Sequence, residues 1–156
     1  MKMIDVGAKP RTERVAVARG FVTMSRATVA RIRRGEVEKG DVLAAARLAG
    51  VMAAKTTPDR VPLCPPIALA GVDVTATPGP GGVEITATVR TVDRTGVEME
   101  ALAAVAAGCL TVYDMLKRYE RGMRIEVLEL LHKSGGRTGV WNRTPARKRR
   151  RSPARR

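Results

Sequence analysis

Two stretches of alternating residues, separated by a turn, constrain the fold of this chain more than any other feature of its sequence. Residues 72–77 and 83–90 each alternate between apolar and polar side chains, and the segment between them reads Pro-Gly-Pro-Gly-Gly. A period of two is typical of β-strands with one buried face, and proline and glycine favour tight turns. The sequence therefore predicts an antiparallel hairpin that packs one face against other elements.

Three other segments carry the spacing of an amphipathic helix. Ser25 can cap the first, which ends near Gly35, and an Ala-rich stretch over Val42–Lys55 forms the second. Gly50 and the alanines give the second helix a small-residue face that another helix could approach closely. The third covers residues 97–120. Its apolar stripe consists of Leu102, Val105, Cys109, Val112 or Tyr113, and Leu116.

The order of these elements predicts the fold class. Four prolines within residues 57–66 exclude regular structure there, and a last strand is expected at residues 124–131. Helix, helix, hairpin, long helix and strand together describe an α+β domain with helices packed on one face of an antiparallel sheet. The 156 residues leave room for one such domain, which we expect over residues 1–141.

The net charge of +14 suggests nucleic-acid binding, but the charge is unevenly distributed. Residues 142–156 hold eight of the 29 lysines and arginines and no acidic residue. We interpret this segment as a disordered, solubilising tail, which would attract any polyanion, nucleic acid included, without reading its sequence. Aromatic residues make up only 3% of the chain, too few for a surface that stacks single-stranded bases.

The sequence does not indicate a membrane segment, a metal site or a bound cofactor. Residues 1–10 mix charged and apolar side chains, unlike a signal peptide, and no run approaches the ~20 apolar residues of a membrane helix. Cys64 and Cys109 stand in no metal-ligand spacing, so neither a disulfide nor a zinc site is expected. We therefore expect a cytoplasmic protein without a metal or another cofactor.

A charged strip on the third helix is the first candidate for chemistry. Asp114 and Lys117 share one helix face, and Glu100 lies about four turns earlier, near the same face. The simpler interpretation is a surface ion pair of little energetic value. Lys39, just before the second helix, could join backbone N–H groups in holding phosphate oxygens, and Lys55 ends that helix. Taken alone, these residues indicate an anion-binding domain of unspecified activity.

Longer motifs give a more specific indication. They are Lys-Gly-Asp-Val-Leu-Ala-Ala-Ala-Arg-Leu-Ala-Gly (39–50), Ala-Ala-Lys (53–55), Val-Pro-Leu-Cys (61–64), Arg-Thr-Gly-Val-Glu-Met-Glu-Ala-Leu (94–102) and Leu-Thr-Val-Tyr-Asp-Met (110–115) with Lys117. Met-Ile-Asp-Val (3–6) precedes them and Lys-Ser-Gly-Gly (133–136) follows. In this order and spacing they resemble the cyclic pyranopterin monophosphate synthase family of molybdenum-cofactor biosynthesis, over residues 3–139.

That resemblance implies an activity and an assembly. Members of the family convert a cyclic dihydro-GTP intermediate into cyclic pyranopterin monophosphate and release pyrophosphate. A substrate bearing a triphosphate needs several cations, and a rearrangement with proton transfers needs an acid–base group. The resemblance also implies a ferredoxin-like α+β fold and a homohexamer, built as a trimer of dimers, with sites at subunit boundaries.

The resemblance also assigns expected roles to individual residues. Asp114 matches the family's catalytic aspartate, and Lys39 and Lys117 match its site lysines. No metal ligand is implied. The other residues expected to contact the substrate are Leu63, Cys64, Pro65, Met99, Glu100, Lys55 and Glu98.

Pro65 departs from the family pattern, which reads Leu-Cys-His-Pro where this chain has Leu-Cys-Pro-Pro (63–66). Proline has no ring nitrogen that can accept a hydrogen bond or change charge near neutral pH. The single histidine, His132, does not replace it by sequence position. Three hypotheses follow: an active or weakened lyase, a family member that binds the nucleotide without efficient turnover, and a polyanion-binding protein that uses its tail.

Overall fold

The computed structural model describes residues 1–144, in which one sheet is combined with three α-helices. The strands are β1 (Thr12–Thr23), β2 (Leu69–Gly79), β3 (Gly82–Asp93), β4 (Arg124–Ser134) and β5 (Trp141–Asn142). The helices are α1 (Arg26–Arg33), α2 (Val42–Lys55) and α3 (Glu98–Leu116), and a 3₁₀ turn covers Thr57–Asp59. Most of the predicted tail, from residue 145 onward, lies outside the described residues.

The sheet has the strand order β2-β3-β1-β4-β5, and each pair of neighbours is antiparallel. The connection from β1 to β2 contains α1 and α2, and the connection from β3 to β4 contains α3. The four long strands therefore have the βαββαβ arrangement of a ferredoxin-like fold. The predicted α+β class, with helices packed on an antiparallel sheet, is confirmed.

The core lies between the sheet and the two longer helices. From α3, Val105, Cys109, Val112 and Leu116 are fully buried. The sheet contributes alternate residues of its helix-facing side, which are Ala16, Ala18, Val22, Val74, Ala76, Val83, Ile85, Ala87 and Val89. The alternating apolar residues of the hairpin thus lie on the helix-facing side of the sheet, and the apolar stripe of α3 packs against that side.

Helices α2 and α3 approach each other closely and run antiparallel. A Cβ on Gly50 of α2 would lie 3.0 Å from the carbonyl oxygen of Ala104, and a Cβ on Gly108 of α3 would lie 3.3 Å from that of Ala46. The small-residue face predicted for α2 is confirmed. Because the helices are antiparallel, the start of α2 lies beside the end of α3.

The length and composition of α3 would allow it to cross a membrane. Half of its most apolar window is nevertheless buried inside the domain. That burial is typical of the core helix of a globular domain, which is the role that α3 has here.

The boundaries of α3 and β4 differ from the prediction. The helix ends at Leu116 rather than residue 120, because Tyr119 N–H donates to the Leu116 carbonyl and the chain turns. This turn places the Glu120 carboxylate where it accepts hydrogen bonds from the Ser25 backbone N–H and hydroxyl at the start of α1. Strand β4 continues to Ser134, three residues beyond the predicted end.

The central strand β1 was not predicted. Its helix-facing positions carry small residues, among them Ala16, Ala18 and Gly20, and its larger Val15 lies on the opposite face. Small residues are needed there because α3 lies very close: a Cβ on Gly20 would lie 2.6 Å from Val105 Cγ1. The apolar alternation that identifies a strand in a sequence is therefore weak in β1.

The first two residues of the predicted tail contact the sheet. Asn142 pairs with His132 across β4 and β5, and the Arg143 N–H donates to the Leu131 carbonyl at 2.8 Å. The described fold therefore continues past residue 141.

Candidate active site

Lys39, Asp114 and Lys117 form a contiguous charged group, which we call the Asp114 triad. Lys39 Nζ lies 2.6 Å from Asp114 Oδ2 and also donates to the Asp114 carbonyl at 3.1 Å. Lys117 Nζ lies 2.7 Å from Asp114 Oδ1. Each carboxylate oxygen thus accepts a hydrogen bond from one lysine, and about half of each side chain is exposed. The group carries a net positive charge.

The packing of α2 on α3 explains why Lys39 reaches Asp114. Asp41 caps α2 by accepting hydrogen bonds from the N–H groups of Leu43 and Ala44. Lys39 precedes this cap, and Gly40 makes the turn between them with a φ of +100°. Since the start of α2 lies beside the end of α3, the lysine extends over the last turn of α3, where Asp114 and Lys117 are three residues apart.

The two lysines keep Asp114 ionised. Hydrogen bonding to Lys117 first, and to Lys39 second, lowers the pKa of Asp114 to about 2. With both lysines in place, the carboxylate is a poor proton acceptor at neutral pH. An anion that drew the lysines away would raise that pKa again, because the stabilising positive charges would be shared. An anion bound by the two lysines would therefore also make the Asp114 carboxylate a better proton acceptor.

A second group forms where the loop after α2 meets the start of α3. Cys64 Sγ donates to Glu100 Oε1 at 3.4 Å, which brings residues 63–65 beside residues 98–100. We call these six residues the Glu100 cluster. Leu63 and Met99 are 47% and 39% exposed, so both remain accessible to a ligand. Pro65 is half-buried next to Cys64.

Glu100 is unusual because it is a buried acid with an unsatisfied oxygen. Glu100 is 2% exposed, and its Oε2 atom has no hydrogen-bond partner within residues 1–144. Buried polar atoms normally have a partner. Burial raises the pKa of Glu100, and burial together with the nearby Glu100 charge raises the pKa of the Cys64 thiol to about 11. Cys64 is therefore a hydrogen-bond donor rather than a thiolate.

The predicted site residues lie at two ends of α3 rather than in one place. Glu100 and Asp114 are fourteen positions apart, which corresponds to roughly 21 Å along a helix axis. Lys55, at the end of α2, is exposed on the Glu100 side because α2 and α3 are antiparallel. No reacting atom can touch both groups of a single chain.

A basic cleft of about 950 Å³ lies beside the Glu100 cluster. Its wall includes Thr95 and Gly96, and the side chain of Glu98 folds back over Gly96. The motif at residues 133–136 reaches the same cleft through Gly136. The charged residues that line the cleft are Lys9, Arg14, Arg94 and Arg137.

Arg14 is the residue of this region that sequence reasoning missed. It is 9% exposed, and its guanidinium donates to the carbonyl oxygens of Asp93 and Arg94 at 3.3 Å. Gly136 has a φ of +71°, which favours glycine, and a Cβ there would lie 1.7 Å from Arg14 Nη1, so a larger residue would displace the guanidinium. Because Arg14 belongs to the unpredicted β1, no local pattern pointed to it.

The described residues do not contain a recognisable metal site. Within residues 1–144, no three histidine, cysteine, aspartate or glutamate side chains are grouped as metal ligands would be. Cys64 and Cys109 are both free thiols, and Cys109 is part of the core.

Comparison with known proteins gives this geometry a family context. The model of the MoaC family matches residues 3–136. A protein of Thermomicrobium roseum named cyclic pyranopterin monophosphate synthase is 54% identical over 144 residues, which cover 91% of this chain and 87% of the relative. A protein of the same name from Methylobacterium nodulans is 53% identical over 146 residues, covering 92% of this chain and 91% of the relative.

A mycobacterial relative agrees with these two. Cyclic pyranopterin monophosphate synthase 2 of Mycobacterium bovis is 54% identical over 141 residues, which cover 90% of this chain and 84% of the relative. All three matches include both ends of α3 and most of the length of each relative. This chain belongs to the MoaC family.

Proposed function

We propose that this chain is a lyase of molybdenum-cofactor biosynthesis. Its substrate would be (8S)-3',8-cyclo-7,8-dihydroguanosine 5'-triphosphate, and its products cyclic pyranopterin monophosphate and pyrophosphate. Membership in the MoaC family supports this activity, as do relatives more than half identical that carry the name of the enzyme. The observation that carries the proposal is the Asp114 triad, with one lysine on each carboxylate oxygen.

The lysines of the triad are suited to a polyphosphate. Release of pyrophosphate breaks a bond between two phosphates, so negative charge develops on the departing group. Lys39 and Lys117 are exposed enough to turn toward it, and two ammonium groups can stabilise the charge as it forms. Their present partner, Asp114, would lose hydrogen bonds in the process.

Asp114 is then suited to move the proton. Ring formation and phosphate cyclisation both require that a proton leave an attacking hydroxyl or nitrogen. The pKa of Asp114 is near 2 only while both lysines donate to it. When the substrate phosphates engage the lysines, the pKa of the carboxylate rises toward its ordinary range, and it becomes a better base. Substrate binding would thus make Asp114 a stronger base.

The Glu100 cluster is suited to hold the guanine-derived ring. Such a ring presents N–H donors, and Oε2 of Glu100 is a buried acceptor without a partner in the described residues. Leu63 and Met99 of the same cluster offer exposed apolar surface. Glu98 and Lys55 lie at the same end of α3, where the basic cleft adds positive charge for phosphate oxygens.

Two copies of the chain are needed to complete the site in this account. The triad and the Glu100 cluster are roughly 21 Å apart in one chain, so each would meet the complementary group of a second copy. Leu48, Met52 and Leu110, each more than 60% exposed, give α2 and α3 an apolar surface for such contacts. We propose a homohexamer, a trimer of dimers, located in the cytoplasm.

Incubation of the full chain with the cyclic dihydro-GTP intermediate tests the proposal. Chromatography should detect the fluorescent oxidised form of the pterin product with the unmodified chain and not with Asp114→Asn. Calorimetry on the same samples separates binding from turnover. Binding without any product would favour the alternative, in which Pro65 leaves a nucleotide-binding protein with impaired turnover, and the absence of both would contradict the proposal.

A further inference from the structure

The segment that carries Lys39 is not held in place by helical structure. It runs between α1 and α2 and is bounded by Gly35 and Gly40, whose φ angles are +67° and +100°. Such angles strain most residues other than glycine, so each end of the segment turns at a position that favours glycine. Val37 is 7% exposed and anchors the middle of the segment in the core. Lys39 lies outside this anchor and needs a further contact to stay near α3.

Tyr119 supplies a contact one residue from Lys39. Its hydroxyl oxygen accepts a hydrogen bond from the Glu38 backbone N–H at 3.0 Å. The ring is itself fixed: the Arg31 guanidinium lies 4.5 Å from its centroid, and the Tyr119 N–H donates to the Leu116 carbonyl at 2.8 Å. The hydroxyl therefore has a defined position relative to the end of α3, where Asp114 and Lys117 lie.

The other polar link between this segment and the turn after α3 is weaker. Arg118 forms an ion pair with the Glu38 side chain, but the two side chains are 72% and 67% exposed. Ion pairs between side chains this exposed contribute little to stability, because water competes for both partners. The hydrogen bond to Tyr119 uses a backbone N–H and a partly buried ring, so less conformational freedom is lost in forming it.

We propose that Tyr119 is a positioning residue, which holds the Lys39 segment against the end of α3 so that the ammonium group of Lys39 reaches Asp114. The expected effect of Tyr119 on turnover rests on the proposed function, whereas its expected effect on the Asp114 carboxylate does not. Tyr119 acts through Lys39 and does not itself touch the substrate in this account.

Tyr119→Phe removes the hydroxyl and keeps the ring under Arg31. We expect kcat to fall about three- to tenfold, the scale of one lost hydrogen bond, with little change in KM. Tyr113→Phe is the matched control, since the Tyr113 hydroxyl donates to the Arg121 carbonyl at the same end of α3 and does not contact the Lys39 segment. It should leave kcat unchanged.

A second measurement separates positioning from a general structural effect, and separates this inference from the proposed function. The pKa of the Asp114 carboxyl, followed by its ¹³C chemical shift, should rise in Tyr119→Phe because Lys39 is released. In a Lys39→Ala background the same substitution should not raise it further. An equal shift in both backgrounds, or no shift at all in Tyr119→Phe, would overturn the positioning role even if the chain turns over its substrate. A shift without turnover in any variant would instead overturn the function alone.

Discussion

The ammonium group of Lys39 lies 2.6 Å from Oδ2 of Asp114, although the two residues are 75 positions apart along the chain. This contact joins the start of α2 to the last turn of α3. Together with Lys117 on the other carboxylate oxygen, it leaves Asp114 ionised and both lysines available to an anion. The proposed chemistry depends on exchanging these hydrogen bonds for contacts with substrate phosphates.

Asp114→Asn should lower turnover by about 10²–10⁴-fold, the usual contribution of a positioned acid–base group. Lys117→Ala should have a comparable effect, because the developing charge loses one of its cations. The fold should persist, since both residues are about half exposed and exposed ion pairs contribute little stability. Circular dichroism and sedimentation check the fold, and Asp73→Asn, at an exposed aspartate of β2, is the control. Full activity in an assembled variant would remove that residue from the catalytic role.

Pro65→His should raise turnover if the missing imidazole matters. Histidine can hydrogen-bond to phosphate or transfer a proton at neutral pH, whereas proline only shapes the backbone. Pro65→Ala is the matched control, because it restores backbone freedom without the imidazole. A catalytic role predicts a gap of about 10²–10⁴-fold in kcat between the two variants. A binding role predicts a smaller gap, mainly in KM. Equal kcat and KM for Pro65→His and the unmodified chain would show that the site is not impaired.

Because of Glu100, the free energy of unfolding should depend on pH in the range above the ordinary pKa of a glutamate. Burial raises the pKa of Glu100 above 4.5, so the folded chain binds this proton more tightly than the unfolded chain. Its contribution to stability is complete below pH 4.5 and is lost as the pH rises through the raised pKa. Glu100→Gln should therefore gain stability relative to the unmodified chain between pH 4 and pH 8, in urea unfolding. Glu13→Gln, at an exposed glutamate, serves as the control. A difference that stays constant over this pH range would contradict the raised pKa.

Two inactive variants should restore activity when their subunits are mixed. Asp114→Asn damages the triad and Glu100→Gln damages the opposite end of α3, so a mixed dimer keeps one intact site. Random mixing of equal amounts predicts recovery of about one quarter of the unmodified activity. Mass spectrometry verifies that mixed assemblies form after joint refolding. Mixed assemblies without activity would show that the two groups belong to separate sites.

The elements with strong local signals were predicted well from the sequence. The bounds of α2 agree with the prediction because Asp41 caps the start of the helix and Thr56 follows the end of the alanine-rich stretch. The hairpin of β2 and β3 is confirmed, although its strands extend through Gly79 and from Gly82, which leaves only Pro80 and Gly81 as the turn. Local spacing alone also placed Lys117 beside Asp114.

The features that sequence patterns missed depend on distant parts of the chain. Strand β1 carries alanine and glycine on its buried side because α3 lies so close, and this removed the apolar alternation that marks a strand. The contact of Lys39 with Asp114 and that of Cys64 with Glu100 require the packing of whole elements. The family resemblance singled out these residues, but their division between two ends of α3 became evident only in the folded chain.

The central claim is tested most directly by counting both products that the unmodified chain forms from the cyclic dihydro-GTP intermediate. We predict that cyclic pyranopterin monophosphate and pyrophosphate appear in equal amounts, at a rate that Asp114→Asn lowers by about 10²–10⁴-fold. Pyrophosphate without the pterin product, or substrate that stays bound and unchanged, would contradict the assignment of this chain as the synthase.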